Sequence, residues 1–154
     1  MYLSIHFLLE SRSSSTYQDK ANYTSDKSID GLLSTFITAK EHFPWLEIEL
    51  EAERLISGIV VVNIMDSGNR LRDLEVRVGD ASVPLGYHGA QLTTNEVAGH
   101  FVGPGEDGET YLIQFTYPVR GKYISLQLLV EEYLQMEEVY LAGGWSSASF
   151  LTWY

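Results

Sequence analysis

"WLEIELE" (45–51) and "ISGIVVVNI" (56–64) are the two stretches that decide the fold. In the first, apolar residues alternate strictly with Glu47, Glu49 and Glu51, a pattern typical of a strand with one buried face. We therefore predict that these three glutamates face solvent. In the second, β-branched residues run almost without interruption, as in a strand that is covered on both faces. Two such strands predict a β-sheet protein with an apolar core that is shielded from solvent.

The rest of the chain continues this pattern. Further strands are predicted in "LEVRVGD" (74–80), where Leu74, Val76 and Val78 alternate and point inward, at 111–115, in "GKYISLQLLV" (121–130) and in "YLQMEEVYLAG" (133–143). Gly, Pro and Asp separate them, and Asp107-Gly108 is a strong tight-turn signal. No apolar positions recur at helical spacing over three turns. We predict an all-β sandwich of two antiparallel sheets that forms one domain over residues 1–154.

Composition restricts the class of partner. The formal charge of −11 opposes binding to nucleic acid and to anionic membranes. The absence of cysteine excludes disulfides and thiolate metal sites. Residues 1–9 lack the basic region and the cleavage site of a signal peptide, and are predicted as a first strand. No stretch approaches the roughly 20 apolar residues of a membrane span.

The order of several segments resembles the discoidin-type, galactose-binding-like jelly roll, and within it the F-type lectin (fucolectin) family. The segments that carry the resemblance are "SSSTY" (13–17), "SIDG" (28–31), "PWLEIEL" (44–50), "RLRDLEVRVG" (70–79), "GKYISLQL" (121–128) and "YLQMEEVYLAG" (133–143). The resemblance extends to about Gly143. It implies a discoidin-like jelly-roll β-sandwich and a lectin-like, secreted protein.

The family's sugar-binding signature is matched only in part. Asp66 and Arg70 fall on its aspartate and its second basic residue, and Asn69 lies between them. Ile64 occupies the position of the first arginine, and the histidine position falls near Ile37. Replacing an arginine by isoleucine removes several N–H donors at once.

Other residues are candidates to complete this site. His42 is a candidate substitute for the family's histidine, and Tyr17 and Tyr23 are candidate stacking residues in the polar segment 12–28. The predicted glycan site lies among the loops 17–24, 38–43, 66–70 and 115–120.

A plainer interpretation of the segment 66–70 is a hairpin turn. In that interpretation, Asp66 caps backbone amides, Gly68 takes a left-handed conformation and Arg70 pairs with a surface carboxylate. A protein contact is a third alternative. The residues alone leave these alternatives open.

The resemblance also implies a structural calcium ion. Asp30 and Glu138 match the family's aspartate and glutamate. The other implied ligands are the main-chain carbonyls of Lys27, Leu32 and Glu137 and a hydroxyl from Ser34 or Thr35. Calcium takes oxygen ligands only, so this set suits it. The alternative is that Asp30 caps an Asp-Gly turn and Glu138 is an ordinary surface carboxylate.

The sequence gives little support for catalysis. There is no Gly-x-Ser-x-Gly motif, and the four histidines lack metal-ligand spacing. The glutamate pairs 131–132 and 137–138 lie on predicted strands, where adjacent side chains point to opposite faces. Asn22 begins an N-glycosylation sequon. The aromatic segment 144–154 is predicted to form a final strand, or else a tail that docks on a partner.

We therefore predict a non-catalytic carbohydrate-binding module for fucose- or galactose-type glycans. Its predicted partners are glycans, further copies of the chain, or other domains of a larger protein. The competing hypothesis is a protein-interaction or structural module that kept the fold and lost the sugar site. The substitution at Ile64 favours this alternative.

Overall fold

The computed structural model describes residues 8–143. The predictions for the residues before Leu8 and for the segment 144–154 lie outside the described residues. Ten strands are described: β1 Leu8–Ser13, β2 Phe36–Ile37, β3 Glu41–His42, β4 Trp45–Val62, β5 Leu74–Gly79, β6 Glu96–Phe101, β7 Thr110–Leu128, β8 Glu131–Glu132, β9 Gln135–Met136 and β10 Glu138–Gly143. Short 3-10 helices occupy Tyr17–Asp19, Ala21–Tyr23, Ser25–Ile29 and Gly68–Arg70.

The strands form one large sheet and two small ladders. The large sheet has the order β1-β4-β7-β5-β6, with β10 paired to the second half of β4. β2 pairs with β9, and β3 pairs with β8. Every described pairing is antiparallel. The predicted all-β architecture with antiparallel sheets is confirmed.

β4 and β7 are longer than the sequence pattern indicates. The two predicted strands at 45–51 and 56–64 join into β4, and those at 111–115 and 121–130 join into β7. Their pairing shifts register twice, between Glu49 and Arg54 and between Ile56 and Gly58. Such bulges bend a ladder without ending it. The two long strands therefore stay within one continuous six-stranded sheet.

One apolar core fills the space between the layers. Leu46 and Ile48 come from the first half of β4, and Ile59 and Val61 from the second half. All four side chains are fully buried. The two halves of β4 therefore pack into the same core.

The prediction that Glu47 faces solvent is wrong. Its side chain is buried and accepts hydrogen bonds from Arg12 Nη2 at 2.8 Å and from the Val83 amide at 2.5 Å. A second, smaller cluster of Trp45, Val83 and Leu92 covers this outer face of β4. The alternating pattern misled because it does not show that a later loop packs on the polar face.

Candidate functional site

Asn63 holds the segment that follows β4. Its side chain is fully buried. Nδ2 donates to the carbonyls of Gly68 and Glu106, both at 2.9 Å, and Oδ1 accepts from the Ile64 amide at 2.9 Å. One amide side chain thus joins the loop 64–70 to the loop 103–108. Its hydrogen-bonding groups are satisfied, as a buried polar group requires.

The turn ends in the 3-10 helix Gly68–Arg70. The prediction that Gly68 is left-handed is wrong, because Ser67 takes this conformation with φ 62°. Gly68 is needed for space instead: a Cβ there would lie 2.6 Å from the carbonyl carbon of Glu106. The Gly68 amide donates to Asp107 Oδ1 at 2.7 Å. The predicted Asp107-Gly108 turn is present and supports this loop.

Arg70 is positioned by residues that are distant in sequence. Its guanidinium carbon lies 4.6 Å from the centre of the Tyr133 ring, a cation–π contact. Nη1 donates to Gln135 Oε1 at 3.2 Å. Gln135 Nε2 donates in turn to the Ser67 carbonyl at 3.0 Å. The segment from Tyr133 to Gln135, which leads into β9, therefore fixes both the turn and its arginine.

Tyr133, Tyr17 and Tyr23 form a series of ring contacts that begins at Arg70. The ring centres of Tyr17 and Tyr133 are 5.9 Å apart, and those of Tyr17 and Tyr23 are 5.6 Å apart, both in edge-to-face geometry. Such aromatic pairs are favourable beyond the area they bury. The predicted stacking residues Tyr17 and Tyr23 thus lie on the same surface as Arg70.

Glu132 lies between two guanidinium groups. Arg70 Nε is 3.8 Å from Oε1, and Arg72 Nη2 is 3.5 Å from Oε2. Glu131 points elsewhere and pairs with His42 Nε2 at 2.7 Å. The prediction that the two glutamates point apart agrees with these contacts.

We call this assembly the rim cluster. It consists of Tyr17, Tyr23, Arg70, Arg72, Glu132, Tyr133 and Gln135. The last three and Arg72 were missed by sequence reasoning. Arg72 follows the turn directly in sequence, whereas Glu132 and Gln135 lie on β8 and β9, which pair with β3 and β2.

The remaining predicted ligand residues lie around this cluster. Asp66 and Asn69 are exposed, and their side chains make no hydrogen bond or ion pair within residues 8–143. The carbonyl of Asp66 accepts from Gln135 at 3.5 Å. His42 is exposed on β3 and contacts Glu131 rather than Arg70.

The predicted loop at 115–120 is not a loop. These residues lie inside β7, where Val119 pairs with Ile56 and Arg120 with Leu55. Because those partners are in the middle of β4, this stretch is away from the turn at its end. The rim therefore excludes 115–120.

Glu138 and Asp30 approach each other at a second location. The Glu138 carboxylate is fully buried, and both oxygens accept from the Gly31 amide, at 3.2 and 3.1 Å. Asp30 Oδ1 accepts from the Leu32 amide at 2.9 Å, as the turn-capping interpretation predicts. The interpretation of Glu138 as a surface carboxylate is wrong.

Burial raises the pKa of Glu138 to about 7, the Gly31 amide opposes this shift, and the nearby Asp30 charge adds to it. Two close carboxylates with oxygen-only chemistry fit a hard cation. Asp30 and Glu138 are the carboxylate donors that fit, and the Lys27 ammonium pairs with Asp26 at 3.2 Å, a contact that does not involve the main-chain carbonyl of Lys27. The Glu137 amide donates to the Val62 carbonyl at 2.9 Å, a bond that does not involve the Glu137 carbonyl implied as a calcium ligand. Within residues 8–143, no three acidic or histidine side chains converge on one metal position.

A separate cleft of about 610 Å³ is lined by residues 12–14 at the end of β1, by Trp45 and by residues 86–88. Its most prominent polar and aromatic groups are already bonded internally: Arg12 pairs with Glu47, and Trp45 Nε1 donates to the Tyr87 carbonyl at 3.1 Å. The rim cluster is the stronger candidate because it contains the predicted ligand residues Tyr17, Tyr23 and Arg70. The described part of the chain has no helix of the length and hydrophobicity that a membrane crossing requires.

The fold and the rim together define a galactose-binding-like β-sandwich. The chain belongs to the family described as NedA-like, galactose-binding domain, whose model matches residues 27–126. The resemblance to this superfamily is thereby confirmed. A search of curated proteins found no match.

Solved structures show the same fold. A fucolectin from striped bass (Morone saxatilis) serum has a TM-score of 0.79 at 22% identity over 93% of this chain and 49% of that chain. This chain thus spans about half of that lectin. A Streptococcus pneumoniae fucose binding module has a TM-score of 0.68 at 19% identity, covering 91% and 94%. A Clostridium perfringens module in complex with GalNAc-β-1,3-galactose has a TM-score of 0.72 at 14% identity, covering 92% and 99%.

Proposed function

We propose that this chain is a non-catalytic, lectin-like carbohydrate-binding domain that holds a glycan at the rim cluster. The observation that carries the proposal is the Arg70 guanidinium, fixed 4.6 Å from the Tyr133 ring and beside the Glu132 carboxylate. Aromatic rings offer a surface to the apolar face of a sugar, while charged groups make the stronger hydrogen bonds. This is the mixture of groups that small-ligand sites require.

Fucose- and galactose-type glycans are the proposed ligands. Support comes from the fucose binding module and from the module in complex with GalNAc-β-1,3-galactose, both of which share the fold. A shallow rim gives weak binding per domain, so we propose that avidity arises from several copies or from linked domains. An extracellular location fits these ligands.

Loss of Arg70 tests the proposal. We expect selective binding on a glycan array, confirmed by calorimetry with methyl fucoside and methyl galactoside, and lost in Arg70→Ala. Arg120→Ala is the matched control, because Arg120 is exposed on β7 and lies 3.7 Å from Glu53, away from the rim. Equal melting temperatures for both variants show that the fold is intact.

The second candidate function is a protein-interaction or structural module. Ile64 favours it, because the position offers no side-chain donor where the resembling lectins have arginine. A wild-type protein that melts cooperatively and binds no glycan on the array supports this candidate and rejects the first.

We also propose a structural calcium ion held by Asp30 and Glu138, with the main-chain carbonyls of Lys27, Leu32 and Glu137 and a hydroxyl of Ser34 or Thr35 as further donors. The fully buried Glu138 carboxylate supports this, because a cation offsets its burial and its repulsion from Asp30. When bound, the ion supplies charge neutralisation and cross-links the loop after Ile29 to β10.

A further inference from the structure

We infer that Arg72 is the second guanidinium of the glycan site and that, with Glu132, it selects neutral sugars carrying two neighbouring hydroxyls. This inference rests on the proposed carbohydrate-binding function. It assigns a role to a residue outside the resembling lectins' signature as it aligns here. It also explains how the site works with Ile64 at the position of an arginine.

The first argument is the shared carboxylate. Arg70 and Arg72 approach different oxygens of Glu132, at 3.8 and 3.5 Å, so one acceptor group lies between two donor groups. About a third of each arginine side chain is exposed, 36% and 35%, against 16% for Glu132. An incoming molecule therefore reaches exposed parts of both arginine side chains beside the carboxylate.

The second argument is that Arg72 is bonded unlike the structural arginines. Arg12 donates four hydrogen bonds, and Arg77 donates to Glu75 and to the Asn95 carbonyl. Arg72 Nη1 is buried and has no hydrogen-bond partner among the described residues. An unpaired buried donor destabilises the folded state. A sugar oxygen that draws the side chain outward and pairs with this donor recovers that free energy.

The third argument concerns ligand charge. A hydroxyl group both donates and accepts, so two neighbouring hydroxyls match a guanidinium and a carboxylate side by side. An acidic sugar must compete with Glu132 for Arg70 and Arg72, and the neighbouring Glu131 and the exposed Asp66 add negative charge around them. The net charge of −11 adds to this repulsion. Neutral sugars are therefore the ligand class that fits.

Binding by Arg72 variants tests this inference. The probes are methyl fucoside, methyl galactoside, their deoxy analogues that lack one of two neighbouring hydroxyls, and 3-O-sulfated galactose. In Arg72→Ala we expect affinity for the neutral probes to fall about tenfold or more, with the melting temperature changed by no more than about 2 °C. Arg72→Lys is expected to restore little, because an ammonium lacks the planar fork. Arg120→Ala should bind as the wild type does.

The outcomes separate the two proposals. If the wild type binds none of these probes and no glycan on the array, the proposed function fails. If Arg70→Ala abolishes binding while Arg72→Ala and Arg72→Gln bind normally, only the role of Arg72 is overturned. Tighter binding of sulfated galactose than of methyl galactoside would overturn the preference for neutral sugars.

Discussion

Replacing Asn63 should weaken the protein and disorganise the rim at once. Asn63 makes three hydrogen bonds, two from Nδ2 and one to Oδ1, all at 2.9 Å. Each such bond contributes about 1 kcal/mol net, so Asn63→Ala should lower the free energy of unfolding by about 3 kcal/mol. For a domain of this size that corresponds to a fall of about 6–12 °C in melting temperature.

Urea denaturation followed by circular dichroism measures this effect, with equal m-values as the check that the unfolded state is unchanged. Asn63→Asp keeps the size and the Oδ1 acceptor but places a carboxylate against the carbonyls of Gly68 and Glu106. It should therefore be at least as damaging at neutral pH. Asn69→Ala is the control: Asn69 is exposed and its side chain makes no described hydrogen bond, so the change should be within about 0.5 kcal/mol.

If Asn63→Ala lowers the free energy of unfolding by less than about 1 kcal/mol, the reasoning is refuted. The hydrogen bonds of Asn63 would then not be what holds the two loops together. Surviving Asn63→Ala protein should also bind glycan more weakly. The reason is that the Gly68 carbonyl, two residues before Arg70, loses one of its two donors and keeps only the Leu71 amide.

Three further predictions concern the same two loops and the carboxylate pair. Gly68→Ala should destabilise by about 1–3 kcal/mol, because the new Cβ would meet the Glu106 backbone at 2.6 Å; an unchanged melting temperature would contradict this. Chelation by EDTA should lower the melting temperature, and added calcium should restore it. Glu138→Gln should abolish this response. A wild-type melting temperature that does not change with EDTA would contradict the proposed calcium ion. In EDTA, the folded state keeps a proton on Glu138 between pH 4.5, the ordinary pKa, and about pH 7, where the unfolded chain has lost it. Unfolding therefore releases a proton, and stability should fall by about 3 kcal/mol as pH rises through this window, with a flatter profile in Glu138→Gln.

Several features of the fold were predictable because they depend on local pattern. Alternation placed Leu74, Val76 and Val78 in the core, and all three are buried. The Asp107-Gly108 turn was predictable because Gly108 must take a positive φ, here 70°. The joining of short predicted strands into β4 and β7 was not, since a bulge leaves no clear mark in the apolar pattern.

The candidate site was only half predictable. Tyr17, Tyr23 and Arg70 were found from sequence and lie on one surface. Glu132 and Tyr133 follow β7 and carry no recognisable motif. Their place in the rim cluster depends on the pairing of β8 with β3 and of β9 with β2, which the local sequence does not show.

The sequence by itself determined most of the strands and the all-β class, because apolar periodicity depends on a few neighbouring residues. Composition alone determined the excess of carboxylates and the absence of cysteine. Tertiary structure alone decided that Glu47 is buried and that Glu138 loses contact with water. It also decided that Arg70 meets Gln135, 65 residues further along the chain. The physical reason is that a side chain's environment is set by the strands that pack against it, and those strands come from distant parts of the chain.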